Sequence, residues 1–338
     1  MIRRHDDFDL SGHNTFRIKA RCACYIEYDS IEDLSSLDFD SLPKPIVSLG
    51  GGSNVLLTED FGGTVLHSCI NYVKYFDVGA DNIPMAVGAG VCWDELVAKT
   101  CSDGLWGLEN LSLIPGSVGG AAVQNIGAYG AEAKDVIAGV TCFDLRTKTK
   151  TAFKLPDCEY GYRDSVFKRP ENKSRYIVTG VLFRVSRTPK PRVDYGGLKA
   201  VFADHTPSSP QEVRDAVIRI RESKLPDPAR IGSAGSFFKN PVLSAMEFAR
   251  IAAGYESVPH YILDGGFVKV PAAWMIEQCG LKDARFGGAA LCPTQHLVII
   301  NESGDASAED ILNLEKHIID SVKTRFGVEL HPEVEHIP

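Results

Sequence analysis

A chain of 338 residues is longer than one hydrophobic core usually serves, so two or three domains with clefts between them are expected. Its apolar content of 44% and charged content of 24% exclude the disordered and collagen-like classes. A formal net charge of -8 excludes a dedicated nucleic-acid binder, whose affinity comes from clustered Lys and Arg, yet leaves room for a basic pocket that takes a small phosphorylated ligand.

The opening MIRRHDDFDLSGHNTF lacks the apolar segment of a signal peptide, and no later run is long and apolar enough to span a bilayer. A cytoplasmic protein with no membrane partner is expected. The nine cysteines form no C-x-x-C pair, which points to buried, reduced thiols and to no metal site.

Residues 46–66 read as short apolar strands broken by the turns GGSN and FGG. In segment 92–104, Trp93, Leu96, Val97 and Cys101 fall on one face before Gly104, the pattern of an amphipathic helix. From Ser112 to Gly130 the residues are nearly all small, as in a backbone pressed against another surface or a ligand. VIAGVTCFDL and RYIVTGVLFRVS return to strand, and the first half is mixed α/β. Near Arg187 the stretch RTPKPRVDYGG concentrates Pro and Gly as a linker does, which places the main boundary between 188 and 189.

Capping boxes at Ser209–Glu212 and Ser244–Glu247 open two helices, the first turning Val213, Val217 and Ile220 inward. Pro271 opens a short helix closed by Gly280. Ser307 opens a longer one, with Ile311, Leu314, Ile318, Val322 and Phe326 at helical spacing before Gly327. The last residues, VELHPEVEHIP, are strand-like, and no internal repeat occurs.

Several segments carry candidate chemistry. Gly50-Gly51-Gly52-Ser53-Asn54 and Pro115-Gly116-Ser117-Val118-Gly119-Gly120 each offer several backbone N–H groups to an anion. Neither is a Walker loop or a dinucleotide fingerprint, and singly each is explained as well by a tight turn. Together, with the small-residue run at Asn125, Gly127, Ala128 and Tyr129, they favour a dinucleotide cradle. Arg163, in YGYRDS, has the planar fork that holds a carboxylate, or pairs simply with Asp164 at the surface. Ser236, in GSAGSFFKNP, is either a proton donor to a developing carbanion or part of a cap turn. Alone, Lys224 and Glu333 read as solvated charges.

Taken together and in order, NTF, LGGGSNVLL, GLENLSLIPGSVGGAAVQNIGAYG, YGYRDSVFK, SKLPDP, GSAGSFFKNP, AAWMIEQCGLK and HPEV resemble the UDP-N-acetylenolpyruvoylglucosamine reductases, nearly end to end. The resemblance implies an α+β protein: an FAD-binding region of the vanillyl-alcohol-oxidase (PCMH) type in two lobes over 1–188, and a substrate-binding α/β domain over 189–338. The terminal strand, 328–338, is expected to pack back near the flavin site. Non-covalent FAD is then held by the two glycine loops with Asn125, Gly127, Ala128 and Tyr129. NADPH supplies hydride, and Arg163, Ser236 and Glu333 are catalytic, with Ser236 the proton donor. Tyr195, Lys224, Asn240, Lys282 and Gln295 match positions that hold the UDP-sugar. Tyr261, in HYILDGGFVKV, resembles the extra substrate loop of the family's first subtype. The activity implied by the resemblance is reduction of UDP-N-acetylglucosamine enolpyruvate to UDP-N-acetylmuramate for peptidoglycan synthesis, by a monomer.

Two other readings compete. An oxidase of the same flavin fold would pass electrons from a sugar or alcohol to oxygen. Such oxidases often attach flavin through His or Cys in the glycine-rich loop, and neither GGGSN nor PGSVGGAAVQN contains one. A catalytically silent nucleotide-binding protein would not need Arg163, Ser236 and Glu333 together. Acid denaturation of the purified protein is expected to release its flavin into the supernatant; colour retained by the precipitate would favour the oxidase.

Overall fold

The apolar run Tyr176–Ser186 is buried along most of its length and becomes the central strand of a five-stranded antiparallel sheet. Its order is Thr149–Lys154, Ile137–Asp144, Tyr176–Ser186, Asn82–Gly88, Val73–Tyr75. Helix Trp93–Ser102 forms where its periodicity predicts and turns Trp93, Leu96, Val97 and Cys101 into the core beneath that sheet. A second sheet orders Arg3–Asp9, Arg21–Tyr28, Phe61–Ser68 and Ile46–Ser48, the last three running parallel. It has a core of its own around Ile26, Tyr28, Leu34 and Leu66.

The computed structural model describes residues 1–76, 79 and 81–338, and the chain divides into two compact units. The first comprises Met1–Phe8, Arg21–Gly51 and Phe61–Glu222; the second comprises Asp9–Ala20, Gly52–Asp60 and Ser223–Pro338. The division therefore falls after Glu222, not at the linker-like stretch near Arg187. Composition misleads there because helices Gly196–Val201 and Pro210–Glu222 bury Leu198, Val213 and Val217 against Trp106, which ties them to the first unit.

The second unit is built on an antiparallel sheet in the order Gly232–Ser236, Gln295–Asn301, Ala289–Cys292, Arg285–Phe286. Helix Ala308–Phe326 buries Ile311, Leu314, Ile318, Val322 and Phe326 in that unit's core. At roughly 2 kcal/mol for each buried side chain, that face contributes on the order of 10 kcal/mol, against about 1 kcal/mol for the Ser307–Asp310 capping box. Residues 9–20 join this unit through their backbone. Asn14 bridges Leu10 and Ile18, and the Thr15 carbonyl accepts from Ser233 N at 2.9 Å. The terminal strand Glu335–Ile337 pairs in parallel with Val55–Leu57.

The Ser244 capping box forms as expected. The Ser209 box forms by half: Ser209 Oγ accepts from Glu212 N, but the Glu212 carboxylate reaches Ser208 N. Among the described residues, no helix is long and apolar enough to cross a membrane.

One ion pair ties the first unit's helices together. Arg214 donates to both carboxylate oxygens of Asp94 at 2.6 and 2.8 Å, and Leu113 N donates to the same carboxylate. Burial alone would raise the Asp94 carboxyl, but these donors outweigh it and hold its pKa below the ordinary value. A depressed folded pKa contributes stability above the unfolded value of about 3.9 and loses it as pH falls through the folded value. Asp94→Asn is expected to lower unfolding stability by about 2 kcal/mol at neutral pH. In urea titrations that gap should close as pH drops below about 4; a gap unchanged by pH would refute the assignment.

Candidate functional site

In the first unit the two glycine loops lie directly against each other. A Cβ on Gly51 would stand 2.9 Å from Gly116 Cα, and one on Gly50 would stand 2.5 Å from Ser117 Oγ. Only glycine permits that approach. The second loop is held from behind, since Trp93 N donates to Gly116 O at 3.0 Å and Gly119 N to Ala89 O at 2.9 Å. Ser117 caps helix Val118–Gln124, which ends at Asn125 in the left-handed region. Pro115, Gly119 and Gly120 complete this wall.

Asn125 is fully buried and saturated: its Nδ2 donates to Gly161 O at 2.8 Å and to Glu132, and its Oδ1 accepts from Lys134 N at 3.0 Å. The chain then passes through the short strand Gly127–Ala128 to Tyr129, whose carbonyl accepts from Asn110 Nδ2 at 2.8 Å. The Arg163 guanidinium donates to the Gly127 carbonyl and, at 3.5 Å, to that of Asn125. Arg163 is itself left-handed, at φ 54°, and Tyr129 sits at 49°. Such conformations cost about 1–2 kcal/mol in a non-glycine residue. At Arg163 the cost is met by Lys168, which clamps the Arg163 carbonyl at 3.0 Å while holding Gln124. The surface pair with Asp164 is replaced by this backbone anchorage; Asp164 is exposed and accepts from Ser165 N. Tyr195 lies beside the same loop, within 3.1 Å of where a Cβ on Gly130 would be.

The second unit holds the rest. Gly52 is left-handed at φ 60°, and a Cβ there would collide with the His13 carbonyl. Ser53 follows, and Asn54 then brackets Glu333: its Nδ2 donates to Glu333 O at 3.1 Å, and its carbonyl accepts from Glu335 N at 3.0 Å. Glu333 N donates to Phe237 O at 2.8 Å, directly after Ser236. Ser236 pairs with Val298 across an irregularity that opens between Ser233 and Ser236. It is half-buried, while Phe237 and Phe238 are fully buried and anchor it. Ser236 and Glu333 are thus brought together, with Arg163 in the other unit.

Among the substrate candidates, Asn240 Oδ1 accepts from Ala272 N at 2.9 Å and so caps helix Ala272–Gln278. The Lys224 carbonyl accepts from Thr294 Oγ1 at 2.7 Å, beside Gln295 at the start of its strand. Tyr261 pairs in register with Lys269, whose Nζ lies 5.4 Å from the ring centroid. Lys282 is exposed on the turn after helix Ala272–Gln278.

Sequence reasoning missed Arg221. Burial pulls its guanidinium down from the ordinary value, with Tyr129 and Asp94 acting against that, and its Nε is buried without a hydrogen-bond partner among the described residues. A shielded cation beside Tyr129 fits a ligand that brings acceptor atoms. With the two abutting glycine loops, it makes the first unit a suitable cradle for a flavin dinucleotide. The signal lay in RESKLP, three residues before the singled-out Lys224. Among the described residues, no cluster of His, Cys, Asp and Glu is arranged to hold a metal ion.

Comparison with known proteins matches these units to families. An FAD binding domain model covers residues 24–151, and the model for the C-terminal domain of UDP-N-acetylenolpyruvoylglucosamine reductase covers 227–337. The UDP-N-acetylenolpyruvoylglucosamine reductase of Bacteroides fragilis is 44% identical over 331 residues, spanning 98% of this chain and 99% of its own. That of Porphyromonas gingivalis is 42% identical over 335 residues, spanning 98% of each. The solved structure of the Thermus caldophilus enzyme shares the fold, with a TM-score of 0.69 at 24% identity over 100% of this chain and 99% of that one. With its FAD-binding domain followed by the reductase C-terminal domain, and with relatives of this identity along almost its whole length, the chain belongs to the UDP-N-acetylenolpyruvoylglucosamine reductase family.

Proposed function

We propose that the protein reduces UDP-N-acetylglucosamine enolpyruvate to UDP-N-acetylmuramate, with NADPH as the source of electrons and FAD as a non-covalent intermediary, acting as a monomer in the cytoplasm. The end-to-end identity with reductases of that name carries the reading. FAD held by the two glycine loops with Asn125, Gly127, Ala128 and Tyr129 would supply the hydride chemistry that links NADPH to the β carbon of the enolpyruvyl group. Two half-reactions sharing one pocket predict ping-pong kinetics.

The residues of this chain answer the charge that such a reduction creates. Addition at the β carbon leaves negative charge over the α carbon and its carboxylate. The Arg163 fork, fixed by the Gly127 and Asn125 carbonyls, stabilises that charge in the transition state. Ser236 delivers the proton to the α carbon. A hydroxyl is a weak acid, so the transfer needs a strongly basic partner and a fixed donor, and the buried neighbours Phe237 and Phe238 supply the fixing. Glu333, held through its backbone to Phe237 and Asn54, orders the carboxylate or a water. Tyr195, Lys224, Asn240, Tyr261, Lys282 and Gln295 bind the UDP-sugar; Asn240 commits its oxygen to a helix cap and offers its amide nitrogen.

Anaerobic titration tests the whole reading: NADPH is expected to bleach the flavin band, and the enolpyruvyl substrate to restore it with an equal amount of reduced sugar. Recovery with oxygen alone would sink it. In stopped-flow traces, Ser236→Ala should leave bleaching nearly intact and slow recovery by 100-fold or more, roughly the range for loss of a general acid. Equal slowing of both phases would remove Ser236 as donor. Arg163→Lys keeps the charge but not the planar fork, and is expected to lower kcat by about 100-fold; near-normal turnover would argue against a fork-shaped contact.

A further inference from the structure

Helix Ala308–Phe326 buries a charge in the middle of its apolar face. Glu315, between Leu314 and Ile318 in the buried set, is only 7% exposed. Its Oε2 lies 3.1 Å from His336 Nε2. Both atoms are shut off from solvent, and neither has a hydrogen-bond partner in good alignment among the described residues. They face each other at ion-pair distance, an attraction that operates only when the imidazole is protonated. An apolar pair would pack there at lower cost, because a buried carboxylate loses its hydration and regains only part of it from one partner. Stability alone does not account for the arrangement.

What the pair touches does account for it. His336 lies on the terminal strand, opposite Leu56, three residues beyond Glu333. Asn54 clamps the segment between them at Glu333 O and Glu335 N. On its other side the imidazole centroid is 6.3 Å from that of Phe237, whose carbonyl receives Glu333 N and whose neighbour is Ser236. A strand three residues long has few ladder bonds with which to define its register. A charged side chain anchored in the helix behind it supplies a second coordinate.

The geometry points to Glu315 and His336 as a positioning pair: they fix the terminal strand against helix Ala308–Phe326 and so place Glu333 and Ser236 for protonation of the substrate. This rests on the roles proposed above for those two residues. The double variant Glu315→Leu/His336→Leu removes the pair while keeping the site filled and apolar. Its thermal midpoint is expected to match or exceed the wild type, and NADPH should bleach its flavin at the wild-type rate. Reoxidation by UDP-N-acetylglucosamine enolpyruvate should slow by on the order of tenfold to a hundredfold, as small misplacements of reacting groups do. Glu315→Gln, which keeps shape and removes charge, should show the same selective slowing, so the reading stands on a second variant if the apolar pair folds poorly. Wild-type reoxidation in either folded variant overturns the pair's role. A wild-type protein that this substrate cannot reoxidise instead removes the proposed reaction, and the pair's role with it.

Discussion

The first unit depends on two stretches of backbone meeting without side chains between them. Gly51 and Gly116 approach so closely that a single methyl group on Gly51 would overlap the other loop's Cα. That contact sets where helix Val118–Gln124 begins, the helix sets where Asn125 turns left-handed, and Asn125 with Gly127 supplies the carbonyls that aim Arg163. Cores of this density transmit small shifts instead of absorbing them. A change at the glycine contact would therefore be felt at the guanidinium, although Arg163 lies far along the sequence. The positive φ values at Asn125, Tyr129 and Arg163 fall along this one path, where the surrounding structure holds the strain in place.

Charge is handled differently at the surface and inside. Pairs such as Arg285 with Glu302, both well exposed, contribute little because water and salt screen them. Arg214 with Asp94 is another matter: the guanidinium is almost fully buried and doubly bonded, and the same carboxylate fixes Leu113 just before the second glycine loop. Seven residues on along the same helix, Arg221 is also shielded, yet its Nε lacks a partner among the described residues. Two arginines at helical spacing thus differ: Arg214 is completed within the protein, while the Arg221 Nε is left unpartnered among the described residues.

Helices announced themselves in the sequence because periodicity and caps are local. Trp93–Ser102 and Ala308–Phe326 form with the expected inward residues, and Gly327 closes the latter in the left-handed region. The close backbone approach of the glycine loops was legible as well, since small residues in dense runs have few other uses. The division of the chain was not. Residues 9–20 and 52–60 belong with the C-terminal unit through backbone bonds such as Ser233 N to Thr15 O, and backbone bonds leave no compositional trace. Arg221, Glu315 and His336 escaped for a related reason. On a helix or at a terminus a charged residue looks solvated until its burial is known, and burial is a property of the fold.

In the role proposed for it, Ser236 is a weak acid that needs a firm frame. A group that titrated near neutrality could tolerate some looseness, because its driving force for proton transfer would be large. A serine hydroxyl has little driving force, so in that role its contribution would come from being held where the basic carbon forms. The local structure is arranged accordingly. Gly235, left-handed at φ 72°, and the interrupted pairing before Ser236 turn the strand. The next residue locks it again, with Phe237 N donating to Leu297 O at 2.7 Å and Phe237 O accepting Glu333 N. Ser236 therefore sits where an irregular bend passes directly into a doubly bonded, fully buried anchor.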